Sequence, residues 1–68
     1  MRKFEQIHEL LVQGQTLPIK NRDHRLSGNW EGCRECHIEP DWLLIYRVFQ
    51  QQGIIEYVRM GTHADLFD

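Results

Sequence analysis

Side chains that move protons near neutral pH are the natural place to look for chemistry, and here one of them stands beside a predicted bend. In His37-Ile38-Glu39-Pro40-Asp41-Trp42, Pro40 presets φ for the first central position of a tight turn and Asp41 suits the second. The chain is therefore expected to reverse between Glu39 and Trp42, with His37 ending one strand and Asp41 opening the next. A third strand, antiparallel to the second and starting near Gly53, would finish at the same edge and deliver His63 there. Strand alternation alone gathers two imidazoles and a carboxylate.

Paired imidazoles can act as base and acid in one turnover. RNA is the matching substrate: removing the 2′-hydroxyl proton lets that oxygen attack the adjacent phosphate while a second group protonates the departing 5′-oxygen. Nearby cations stabilise the crowded anion, and no cofactor is required. His37 and His63 are the expected proton carriers, joined by His24 if its loop reaches them. Asp41 would act as base or orient an imidazole, Arg59 would face the phosphate, and Trp42 and Phe67 would offer flat faces to a base. Blander roles exist for each: Trp42 as core, Asp41 as turn cap, Arg59 as a solvated strand residue. A second chemical reading makes His37, Asp41 and His63 a metal site of two histidines and one carboxylate.

The elements that must position these groups are legible from patterning. Phe4, Ile7, Leu10 and Leu11 recur at helical spacing, predicting one amphipathic helix from Arg2 to Gln13, stopped by Gly14. Its His8 reads as a partly exposed spacer. Gln15 to Asn29 lacks a sustained period and reads as a long connecting loop carrying His24 between Arg22 and Arg25. Three strands follow, Trp30–Glu39, Trp42–Phe49 and Ile54–Met60, as an antiparallel meander, and His63 to Asp68 forms a short docked tail. The middle strand is apolar on both faces, as expected of a central strand shielded on both sides. The expected architecture is α+β, a helix packed on a three-stranded sheet, in one domain spanning 1–68.

Composition narrows the class. A chain of 68 residues has a small core, with 41% hydrophobic and 26% charged residues. The formal charge of -2 gives no overall basic field toward nucleic acid or an anionic membrane. The first residues lack the apolar run of a signal peptide and no stretch is long enough for a membrane helix, so a cytoplasmic location is expected. Cys33-Arg34-Glu35-Cys36-His37 matches the spacing of haem attachment or half a zinc knuckle. In an extended strand, however, residues three apart lie ~10 Å from each other on opposite faces, so a disulfide or a shared metal does not fit. Both cysteines are read as small strand residues, with haem or metal a distant second.

Three stretches together resemble the YafQ branch of the RelE/ParE superfamily of bacterial toxins, ribosome-dependent mRNA endonucleases paired with antitoxins. They are His24-x-Leu26-x-Gly28-x-Trp30-x-Gly32, His37-x-Glu39-Pro40-Asp41-Trp42 and Gly61-Thr62-His63-x-x-Leu66-Phe67, and the likeness covers nearly the whole chain. The resemblance implies a RelE-like fold, whose first strand and helix have no counterpart in these 68 residues. It also implies a catalytic set of His24, His37, Asp41 and His63 supported by Trp42 and Phe67, with an antitoxin, the ribosome and mRNA as partners. The alternative is a catalytically weak module that binds an antitoxin or associates with itself through an unpaired sheet edge.

Overall fold

The structure is a computed structural model and describes residues 2–67. Helix α1 (Arg2–Val12) ends where the spacing predicts, within one residue. Gly14, at φ 72°, closes it: Gln15 N–H donates to the Leu10 carbonyl and Gly14 N–H to that of Leu11, the two bonds of a Schellman cap. Phe4, Ile7 and Leu11 face one way, as the stripe requires, and only Ile7 is fully buried.

The expected meander is present as β2 (Arg34–Glu39), β3 (Trp42–Phe49) and β4 (Ile54–Gly61). The first of these starts four residues later than expected. Gly28 and Gly32, at φ 64° and 90°, turn the chain out of the extended region, so Gly28–Trp30 makes a 3-10 turn instead of strand. The predicted loop is also more structured. It holds a 3-10 turn at Ile19–Asn21 and a two-residue strand, β1 (His24–Arg25), which pairs antiparallel with β2. The sheet therefore has four strands, in the order β1-β2-β3-β4. The tail folds into a short helix, α2 (His63–Phe67).

Both faces of the sheet are covered, as the apolar middle strand requires. Under α1 lie Ile7, Cys36, Ile38, Leu44 and Tyr46, with Phe4, Leu11, Leu17, Trp42 and Tyr57 packed around them. On the far face Cys33, Leu43, Ile45 and Leu66 form a second cluster with Leu26, Trp30, Val58 and Phe67. Cys33 and Cys36 are free, buried and on opposite faces, as the strand spacing predicts. No helix among the described residues is long and apolar enough to cross a membrane.

Candidate active site

Alternation along β2 decides which side chains share a face. Cys36 and Ile38 point under α1, so Glu35 and His37 point to the far face. Pairing carries that face across the sheet. His24 on β1 is opposite Glu35, and on β3 Ile45 is opposite Glu35 while Leu43 is opposite His37. The next strand continues the rows, with Gly61 opposite Leu43 and Arg59 opposite Ile45.

Arg59 reaches this face through a bulge. Tyr46 pairs with Tyr57 and Ile45 with Arg59, so Val58 is the extra residue. Uninterrupted alternation from Tyr57, which lies on the α1 side, would have sent Arg59 there too. The bulge re-aims it.

The centre of the arrangement is a residue the sequence reading did not single out. Glu35 is buried, with 7% of its side chain exposed, and its Oε1 lies 3.4 Å from His24 Nε2 and 3.8 Å from His37 Nε2. Its signal was available in principle, since it stands two residues before His37 and so on the same strand face. His24 is oriented from its other side: Nδ1–H donates to the Arg22 carbonyl at 2.7 Å, which turns Nε2 toward the carboxylate. The loop that carries His24 does not fold over the sheet; it joins its edge as a strand.

His63 opens α2 two residues after Gly61, in the row that starts at His37. His37 and Gly61 are two strand spacings apart, ~10 Å, and the chain leaves Gly61 for α2 at that distance from His37. The helix start is held by a reciprocal pair: Asp65 N–H donates to Thr62 Oγ1 at 3.2 Å, and Thr62 N–H donates to Asp65 Oδ2 at 3.1 Å. The Thr62 backbone bond, then its hydroxyl, then the Arg59 charge hold the Asp65 carboxyl below its ordinary value. Gly61 makes room for this, because a Cβ there would lie 3.1 Å from Asp65 Cβ. The His63 ring packs on Phe67, centroids 5.0 Å apart, and Phe67 meets Trp30 edge-on at 6.2 Å.

Two expected members stand apart. Asp41 is exposed in the turn beyond the last ladder pair, Glu39 with Trp42, and the ion pairs of His24 and His37 go to Glu35 instead. Trp42 packs on the α1 side, so of the two expected aromatic faces only Phe67 shares the histidine face. Among the described residues no group of three or more histidine, cysteine or carboxylate side chains is disposed to hold a metal ion; His37, Asp41 and His63 form none.

A family model described as bacterial toxin of type II toxin-antitoxin system, YafQ, matches residues 1–68. The mRNA interferase toxin YafQ of Escherichia coli (strain K12) is 41% identical over 68 residues, covering 98% of this chain and 72% of that one. The crystal structure of YafQ from E. coli strain BL21(DE3) superposes with a TM-score of 0.90 at 38% identity, over 100% of this chain and 74% of that one. The E. coli DinJ-YafQ complex gives 0.87 at 39% identity, again over 100% and 74%. The helix on an antiparallel sheet is thus shared with solved YafQ structures, with one strand more than the sequence alone suggested.

Proposed function

The chain belongs to the YafQ family of bacterial toxins of type II toxin-antitoxin systems, and from that premise we propose that it cleaves translated messenger RNA on the ribosome. The observation that carries this reading is Glu35, buried between His24 and His37 on the far face of the sheet; Arg59, in register with Ile45 on that face, and His63 with Phe67 on α2 complete the proposed set.

Each residue has a role in attack by a 2′-hydroxyl. The Glu35 carboxylate, flanked by two imidazoles, accepts the hydroxyl proton directly or through His37. The exposed His63 gives a proton to the departing 5′-oxygen, and Arg59 stabilises the charge building on phosphorus. Phe67 offers its ring to a base, and His24 holds the far side of the carboxylate. Asp41, at the rim, contacts the substrate or the ribosome rather than the reacting atoms, and Trp42 props the hairpin from beneath. A free carboxylate and imidazoles suffice for these transfers. On this reading the chain works where translation does, in the cytoplasm.

An antitoxin is the protein partner this reading implies, by analogy with the E. coli DinJ-YafQ complex. The test is a translation extract programmed with one message, with and without the purified chain. Cleavage only while the message is being translated is the expected result; an intact message overturns the reading.

A second reading, a self-associating module, is favoured by one observation. Strand β4 bounds the sheet among the described residues, and Val48, Phe49, Ile54 and Met60 on the last two strands are exposed apolar side chains. Light scattering that gives a dimer mass supports it, and a monomer mass at high concentration removes it.

A further inference from the structure

His24 depends on a strand of two residues, His24–Arg25, which by itself is too short to hold an imidazole in place. What holds it is the residue before. Asp23 accepts from Arg34 Nη2 at 2.9 Å and from Arg34 Nε at 3.3 Å, and it also accepts from the Tyr46 hydroxyl. Tyr46 is buried in the cluster under α1, and Arg34 is its ladder partner. Successive residues of an extended segment point to opposite faces, so Asp23 reaches the α1 side while His24 reaches Glu35.

The backbone between these anchors is strained. Arg22, at φ 49°, is the one non-glycine residue in the left-handed region among those described, and its carbonyl is the acceptor for His24 Nδ1. Such a conformation persists where its surroundings over-determine it. Asn21, buried on one side of Arg22, donates from Nδ2 to the His37 carbonyl at 2.7 Å; Asp23 grips Arg34 and Tyr46 on the other side. The same short segment is thereby tied to the backbone of one active-face histidine and sets the ring of the other.

We infer that Asp23 is a positioning residue: gripped by Arg34 and Tyr46 from the opposite side of the sheet, its carboxylate sets His24 Nε2 against Glu35. The consequence for turnover rests on the cleavage reading above; the geometric part does not. Asp23 touches neither substrate nor reacting atoms, and acts only through the ring next to it. Its charge is also felt beneath the sheet. Burial, and then the Asp23 hydrogen bond, push the Tyr46 phenol above its ordinary range, and Arg34 is raised first by its bond to Asp23.

The test uses the whole purified chain and follows the histidine ring resonances by nitrogen-15 NMR. Asp23→Asn keeps the shape of the side chain and removes its charge. The expected result is that the His24 ring resonances move to the positions they take in Glu35→Gln, while those of His63 stay where they are. If Asp23→Asn does not fold, Tyr46→Phe replaces it, since it keeps the Arg34 pair and loses one bond; a smaller shift of His24 in the same direction is expected. Unchanged His24 resonances in the folded variant overturn the inference. In the translation extract, Asp23→Asn should lower kcat by about tenfold with KM unchanged, the pattern of a misplaced group rather than of lost binding. Equal kcat in both chains also overturns it. A wild-type chain that leaves RNA intact would sink the cleavage reading alone, because the ring resonances still decide the role of Asp23.

Discussion

The Glu35 carboxylate and the His24 imidazole come within 3.4 Å of each other on the far face of the sheet, with the carboxylate buried and the imidazole half-exposed. A buried carboxylate needs hydrogen-bonding or charged partners, and Glu35 has two imidazoles within 4 Å. That pairing gives the face a proton acceptor held beside proton carriers.

Glu35→Gln keeps the shape and removes the charge. Cleavage in the translation extract should fall by about a hundredfold or more, in the range expected for loss of a general acid-base group. The circular dichroism spectrum should stay that of the wild type, because Gln can still accept at the same oxygen. Full activity in Glu35→Gln would transfer the role to Asp41.

His63→Ala should abolish cleavage and leave the fold in place. The side chain is exposed and carries little of either core cluster, so the stability change should stay within ~0.5 kcal/mol. A thermal melt alongside the cleavage assay checks both statements. A melting temperature that collapses with the activity would mean that the ring is a strut for Phe67.

Acid should loosen α2 first. Asp65 has its carboxyl held below its ordinary value of 3.8, so what it contributes to the folded state is present above that pH. It is lost as pH falls through the lowered value. The protection factors of the Asp65 and Leu66 amides should fall below about pH 4, before those of the β2 and β3 amides do. In Asp65→Asn the protection factors of these two amides should stay level over that range.

Alkali should loosen the sheet from its centre. Burial, followed by the charges of Asp23 and Glu35, pushes the Cys36 thiol from 9.0 up to about 12. A folded value above the unfolded one means stability that is complete below pH 9 and declines as pH rises toward 12. The urea midpoint should drop over that interval, and less so in Cys36→Ala measured against its own value at pH 7. The native thiol should likewise resist alkylation at pH 8.

How much of this was readable from residues alone varies by element. The α1 stripe and its glycine stop, the Pro40 bend, and the β3 limits of Trp42 and Phe49 all follow from local rules, and each lies within a residue of expectation. Strand β1 was hidden because two residues carry no period; its pairing with β2 lies beside bonds from Asp23 and Asn21 to partners 11 and 16 residues away. Arg59 was assigned to the phosphate by its charge, but a bulge at Val58, which no alternation rule foretells, is what turns it to that face. Glu35 carries no signal of its own type, since a lone glutamate in a strand is ordinarily solvated; only its position two residues before His37 puts it on that face. Trp42 packs against the cluster under α1, the core role that was the alternative to a stacking face.

The most direct measurement is the chemistry of the cut ends. A message incubated with the chain in a translation extract should yield 5′-hydroxyl ends on one side and 2′,3′-cyclic phosphate, or the 3′-phosphate it opens to, on the other. His63→Ala should yield neither. Fragments carrying 5′-phosphate would mean that water, not the neighbouring hydroxyl, attacks phosphorus, and would contradict the roles given to Glu35, His37 and His63.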